Sequence, residues 1–363
     1  MAQADLDQRA ESLLDKGLPG RWYVVAKSGD VPQGAVRAVK ALGRDLVVWR
    51  GADGKVRCLE DRCPHRGARI SLGQVSDSDL ACRYHGVTLD GEGRIVRVPA
   101  IGNCGLEGRK TNDAYAVTEA ADGIFVWFPA PGQTEPAPLA LPHELTSPDW
   151  ANFLTTSPWN CNYRYVLDNL VDPMHGIYLH NDTFTLSRGT REDKVQIQPT
   201  PHGFIIERVA QQGVNVDWAE VAIETSFTWS RVLIPYPPAG GPGGPMFVIA
   251  CVTPVDETNC QIYFWRARQV SGTAREAWRF LFRAHLEVRH WHVLEQDRRM
   301  MASIHRDARS KELLYQNDLG VVSLRRILSR KAREFVEREE AARAEGDVSR
   351  VASAPPFASS NSD

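Results

Sequence analysis

No stretch of the sequence approaches eighteen uninterrupted apolar residues, which excludes a helix that spans a bilayer. Neither sign of charge dominates: 43 Lys and Arg stand against 45 Asp and Glu, so nothing in the balance points to nucleic acid or a membrane surface. The first twenty residues carry Asp5, Asp7, Glu11, Asp15 and Lys16 and lack the apolar core of a signal peptide. Cysteine is scarce and odd in number, seven in 363 residues, which suits reduced thiols or metal ligands better than a disulfide framework. No internal repeat is present. These absences predict a cytoplasmic protein with no membrane and no nucleic-acid partner. What remains, 43% hydrophobic and 24% charged residues, is the composition of about two ordinary globular domains.

Leu6, Ala10, Leu13 and Leu14 stand at helical spacing, so residues 5–17 read as a short helix. From Trp22 the texture changes to β-rich runs broken by Gly, Asp and Pro (22–25, 35–39, 45–50, 95–99 and 123–128), a small barrel or sandwich. Residues 129–142 hold five prolines and read as a semi-rigid linker. A helix-like segment, 163–178, precedes strand candidates at 194–198, 203–210, 221–233, 246–254 and 259–268. A Pro/Gly-rich turn at 235–245 reads as a mobile loop, and 273–305 as one long helix. The tail from Ala341 has the composition of a disordered segment. The second domain is therefore expected to be α+β.

The β-rich part contains Cys63-Pro64-His65-Arg66-Gly67 and Cys82-Arg83-Tyr84-His85-Gly86. Each short loop offers one thiolate and one imidazole. Zinc sites more often pair like with like, whereas mixed loops suit a cluster with one iron on two cysteines and the other on two histidines. A zinc site or unrelated residues are the alternatives on spacing alone. Gly67 and Gly86 are expected to let backbone N–H groups approach the sulfurs. Cys58, Cys104, Cys161, Cys251 and Cys260 lack such pairing and read as small buried hydrophobes. The paired loops strongly resemble those of the Rieske [2Fe–2S] family.

The segment from Asp168 to His180 carries a second constellation. His175 and His180 stand five apart, so both reach one metal only where the helix ends or distorts near Gly176. Pro173, two residues before His175, is expected to kink it. Two imidazoles call for a carboxylate to complete the facial triad of a non-haem Fe(II) site. Asp297 is the candidate, on an apolar stripe with Phe282, Leu286, Val293, Met300 and Ile304, whereas Glu295 is placed to pair with Arg298 and Arg299. A buried Asp297 held by an arginine is the competing reading.

After a Rieske motif, Asp168-Asn169-Leu170-x-Asp172-x-x-His175-x-x-Tyr178-x-His180 resembles the catalytic signature of Rieske oxygenase α subunits, nearest the vanillate demethylase and phthalate dioxygenase branch. Thr253-Pro254, Tyr263-Phe264-Trp265 and Gln296-Asp297 match it too, over about residues 20–310. Met301 and Ile304 depart from the acidic and Gln residues that many members carry there.

The resemblance implies an N-terminal helix (1–20), an all-β Rieske domain (21–128), a linker (129–145), an α+β catalytic domain with a helix-grip-like antiparallel sheet (146–340) and a tail (341–363). It implies a [2Fe–2S] cluster on Cys63, His65, Cys82 and His85, and a mononuclear Fe(II) on His175, His180 and Asp297. Asp172 is the expected bridge between His175 and His85 of a neighbouring subunit in a homotrimer. Asn169 reads equally as a pocket or a structural residue. Tyr178 and Trp265 read as core aromatics, and Arg66, Arg69 and Arg83 as surface cations or a docking patch. His285, His290, His292 and His305 read as structural or exposed. An NAD(P)H-dependent reductase, with or without a ferredoxin, is the implied partner. The implied reaction is O2-dependent hydroxylation or O-demethylation of a small aromatic acid or aryl ether. A sterol or alkaloid oxygenase, and more distantly a pure electron carrier, are the competing readings.

Overall fold

The computed structural model describes residues 3–183, 186–235, 243–305 and 307–350. A first helix, α1 (Gln3–Lys16), buries Leu6, Ala10 and Leu14. Eleven strands follow: β1 (Arg21–Lys27), β2 (Val36–Ala41), β3 (Arg44–Arg50), β4 (Val56–Glu60), β5 (Gln74–Ser76), β6 (Asp79–Ala81), β7 (Thr88–Leu89), β8 (Ile95–Arg97), β9 (Ala114–Tyr115), β10 (Val117–Ala120) and β11 (Gly123–Phe128). They form three small antiparallel sheets, ordered β1-β11-β10, β2-β3-β4-β9 and β5-β6-β7-β8. The last of these carries the two Cys/His loops on either side of its first pair of strands.

The second part opens with a short helix α2 (His143–Thr146), strand β12 (Trp150–Trp159), α3 (Tyr163–Leu170) and α4 (Gly176–Leu179). Strands β13 (Val195–Thr200), β14 (Gly203–Arg208), β15 (Trp218–Ala222), β16 (Trp229–Ile234), β17 (Met246–Asp256) and β18 (Asn259–Gln269) join β12 in a seven-stranded antiparallel sheet, ordered β12-β18-β17-β16-β15-β14-β13. Helices α5 (Gly272–Leu281), α6 (Glu287–Ser303), α7 (Ala308–Lys311) and α8 (Leu319–Arg350) complete it. The fold is α+β, as expected. Among the described residues no helix is long and apolar enough to cross a membrane.

Several expectations need correction. The 163–178 segment is two helices, because Pro173 cannot continue a helix and disfavours helical backbone at Asp172. The 221–233 run is two strands, β15 and β16, divided by a turn whose Ser226 carbonyl accepts from the Trp22 N–H at 2.7 Å. The 273–305 helix is interrupted by a π-helical turn at Phe282–Leu286. Within α6, Met301, four residues after Asp297, is buried while Met300, expected on the apolar stripe, is exposed. Helix α8 continues through 341–350, where disorder was expected, and the rest of that tail, 351–363, lies outside the described residues. So do residues 236–242 of the expected mobile loop.

The two parts share a core. Trp22, Val24, Phe125 and Trp127 pack against Phe227, Trp229, Tyr263 and Trp265, with the linker residues Ala137, Leu139 and Leu141 alongside. The Trp265 indole N–H donates to the Ala121 carbonyl, and Thr253 Oγ1 to the Val24 carbonyl. These contacts give the β-rich part and the large sheet a fixed relation.

One ion cluster ties the helices together. Asp168 on α3 accepts from Arg309 (2.7 Å) and Arg325 (2.8 Å), and Arg325 also holds Glu312. Burial raises the Asp168 pKa, and its two guanidiniums counter that only in part. Asp168→Ala is expected to cost about 3 kcal/mol, because it takes from Arg309 the carboxylate that holds it and leaves Arg325 with Glu312 alone. The check is a urea titration with iron content held constant; a loss below about 1 kcal/mol would show the cluster to be solvated.

Candidate metal centres

The first site is built from two loops of the same shape. In one, the Cys63 N–H donates to the Ala68 carbonyl and the Gly67 N–H to the Cys63 carbonyl; in the other, Cys82 pairs with Val87 and Gly86 with Cys82 in the same way. Gly67 and Gly86 have φ of 74° and 73°, a conformation that favours glycine. Their N–H groups therefore close the turns; the N–H groups directed at the Cys63 sulfur are those of His65 and Arg66. Burial pushes the Cys63 thiol pKa up, and the neighbouring Cys82 sulfur adds to this. Both cysteines are buried, both histidines exposed, and the imidazole centroids lie 4.7 Å apart. Two inner sulfurs, two outer imidazoles and amide donors beside a sulfur suit the donor set of a [2Fe–2S] cluster with mixed ligands.

The second site lies where the broken helix meets α6. His175 follows the Pro173 turn at the N-terminal end of α4, and His180 stands at the other end, which resolves their five-residue spacing. Asp297, 7% exposed, reaches them from α6: its Oδ1 lies 3.6 Å from His175 Nε2 and 3.4 Å from His180 Nε2. One donor atom from each of the three residues falls within 4.8 Å of the others. Asn169 Nδ2 donates to the same Asp297 oxygen at 3.3 Å. No Lys or Arg among the described residues lies within ion-pair distance of Asp297, while Glu295 takes Arg298 and Arg299. A buried carboxylate facing two imidazoles, with no cation, is what a divalent metal would complete.

Sequence reasoning missed what fixes His180. Its Nδ1 faces Gln296 Oε1 at 2.9 Å, and the Gln296 amide donates to Asp182 Oδ1 at 2.6 Å. Asp182 Oδ2 in turn meets His292 Nε2 at 3.0 Å. A carboxylate only accepts, so Asp182 fixes the Gln296 amide group, whose oxygen then accepts the His180 Nδ1 proton. That leaves the Nε2 lone pair for a metal. Burial lowers the His180 pKa, but Asp297 and Gln296 outweigh it and leave it raised, so metal competes with a proton there. Gln296→Leu is expected to weaken Fe(II) affinity about 10–100-fold, measured by chelator competition. Equal affinity in the variant would remove Gln296 from the site. Gln296 and Asp182 are 114 residues apart, a pairing no local pattern announces.

Asp172 departs from expectation in detail. The close acceptor for His175 Nδ1 is the Asp172 backbone carbonyl, and the carboxylate stands 3.9 Å off, capping the Met174 N–H at 2.8 Å. That carboxylate is 32% exposed and so within reach of another molecule. Trp265 is a core aromatic, whereas Tyr178 is exposed and donates to the Arg191 carbonyl. His292 is exposed, as expected, but belongs to the Gln296 chain.

A cavity of about 110 Å³ opens on the triad, bounded by Asn169, Asp172, His175, His180 and Asp297 at one end and by aliphatic and aromatic side chains elsewhere.

Comparison with known proteins identifies two domains. The Rieske [2Fe-2S] domain profile matches residues 21–115, and that of the vanillate O-demethylase oxygenase C-terminal domain matches residues 159–334. The vanillate O-demethylase oxygenase subunit of Pseudomonas sp. (strain HR199) is 38% identical over 44% of this chain and 44% of its own length. The phthalate 4,5-dioxygenase oxygenase subunit of Pseudomonas putida is 27% identical over 68% of this chain and 59% of its own. The matched part thus spans less than two thirds of either relative. The terminal oxygenase of carbazole 1,9a-dioxygenase from Nocardioides aromaticivorans superposes with a TM-score of 0.71, covering 92% of this chain and 99% of that one at 21% identity, which shows a shared fold. With a Rieske domain, an oxygenase C-terminal domain and these relatives, the chain belongs to the Rieske non-haem iron oxygenases, in the branch of the vanillate demethylase and phthalate dioxygenase oxygenase subunits.

Proposed function

We propose that this chain is the oxygenase component of a multicomponent system that uses O2 and reductase-supplied electrons to hydroxylate or O-demethylate a small aromatic substrate. The observation that carries this reading is the His175, His180 and Asp297 set at one end of an apolar cavity, in the same chain as a Rieske domain. An electron carrier has no use for that second site.

When bound, the cluster supplies single electrons and the ferrous ion a place where O2 is reduced beside substrate. In this reading Cys63, His65, Cys82 and His85 hold the cluster, with the exposed histidines on its outer side. His175, His180 and Asp297 hold the iron, with Gln296 keeping His180 in its ligating tautomer. Asn169 positions the Asp297 carboxylate, and the apolar walls keep bulk water from the substrate.

The electrons come from an NAD(P)H-dependent reductase, directly or through a ferredoxin. One solved carbazole 1,9a-dioxygenase structure is a reduced complex between oxygenase and ferredoxin. Arg66, Arg69 and Arg83 are exposed beside the loops and suit an acidic donor. A head-to-tail homotrimer, working in the cytoplasm, brings His85 of one subunit to Asp172 of the next; such an interface closes into a ring.

The test begins with anaerobic reconstitution with iron and sulfide. The reduced protein is expected to show a rhombic EPR signal, and with a surrogate reductase to couple NADH and O2 consumption to an oxidised product from a panel of methoxy- and alkylbenzenes and their acids. A colourless protein holding zinc at both sites would overturn the proposal.

A further inference from the structure

The cavity on the triad distributes its polar groups unevenly. Among the described residues, every ionisable side chain that bounds it belongs to the metal end: Asp172, His175, His180 and Asp297. The opposite walls are closed by Val216, Val232, Ile234, Val248 and Phe264, side chains that neither donate nor accept.

Two arginines on the strands that wall the cavity are held by other groups. Arg231 precedes Val232 on β16 and so points to the other face of the sheet, where Glu144 and Glu220 hold it among Trp218, Trp229 and Phe247. Arg266 is the cross-strand neighbour of Val248. Its guanidinium is held by His290 Nδ1 at 3.0 Å and by Thr155, and lies against Phe282 and Trp291.

A carboxylate taken into such walls loses its water and gains no counter-charge, which is costly unless it is paired. Size adds a second limit. At about 110 Å³ the cavity is on the scale of the roughly 150 Å³ cavity that accepts a benzene ring, too small for four fused rings.

We infer that the substrate is uncharged and about one ring in size, its reactive group turned to the metal end and its far end bare of any acid. The inference rests on the oxygenase reading and deepens it, since it takes the neutral aryl ether or alkylarene over the aromatic acid.

The test uses the iron-loaded, cluster-containing protein and two matched pairs of probes. Vanillate and 4-methylguaiacol differ by carboxylate against methyl, as do p-toluate and p-xylene. Binding is measured by calorimetry under argon, and turnover with a surrogate reductase by NADH, O2 and product. Within at least one pair the neutral probe is expected to bind on the order of 100-fold more tightly than its acid, with kcat/KM following. Equal or tighter binding of the acids overturns the inference while leaving an active oxygenase. Failure of all four probes to bind overturns it as well. If the neutral probes bind and no O2 or NADH is consumed, the inference stands and the oxygenase reading fails.

Discussion

Asp297→Ala is expected to lose iron from the catalytic site and to lower turnover by about three orders of magnitude or more, while the cluster stays intact. Asp297 is the one anion of the triad, and its Oδ1 lies within 3.6 Å of both imidazole Nε2 atoms. Without it, two neutral imidazoles face a dication with no charge to offset it. The substitution should be gentle on the fold, because the groups facing Asp297 are His175, His180 and Asn169 and no arginine is stranded. The expected result is therefore specific: iron falls by the mononuclear share, the rhombic EPR signal is unchanged, and the melting temperature of the iron-free protein moves little. A variant that kept its mononuclear iron would transfer the ligand role to another carboxylate.

Asp172→Asn is expected to keep both metals and still lose turnover by about 100-fold or more, because the step between them is what fails. The structure makes this separation sharper than sequence could. His175 Nδ1 is held by the Asp172 backbone carbonyl, which the substitution leaves in place, so the ligand orientation survives. The carboxylate, 3.9 Å away and part exposed, is free to take up a neighbouring imidazole N–H. Substrate affinity should be unchanged, and re-oxidation of the reduced cluster by O2 in the presence of substrate should slow by the same factor as turnover. Wild-type re-oxidation in this variant would remove Asp172 from the electron path. Loss of iron would instead mean that its role is to hold His175.

The cluster loops were the most legible part of the chain, because cluster chemistry dictates residue type at four positions and the turn dictates glycine at two more. His175, His180 and Asp297 could be brought together on charge and stripe arguments, since a buried carboxylate needs an explanation that Glu295, paired in its own helix, does not. Strand β12 escaped because Pro158 and the mixed polarity of residues 150–159 do not alternate cleanly; an edge strand tolerates both. The π turn at Phe282–Leu286 is a backbone event that no residue type marks, and Met300 lies on the exposed side of α6, off the expected stripe. Helix α8 buries Val321, Leu324, Leu328 and Ala332 against partners that include Ala10 and Leu14 of α1, a contact between opposite ends of the chain. Gln296 stood beside Asp297 in the matched motif, but its function depends on Asp182, which only the tertiary fold brings near.

The most direct test of the account is a single turnover without reductase. Protein with a reduced cluster and bound iron is mixed with O2 and a bound aromatic probe, and cluster absorbance and product are followed together. The account predicts that the cluster re-oxidises as product forms, with no more than one product per active site, and that Asp297→Ala forms none. Product from the Asp297→Ala protein, or full cluster re-oxidation with no product from any bound probe, would contradict it.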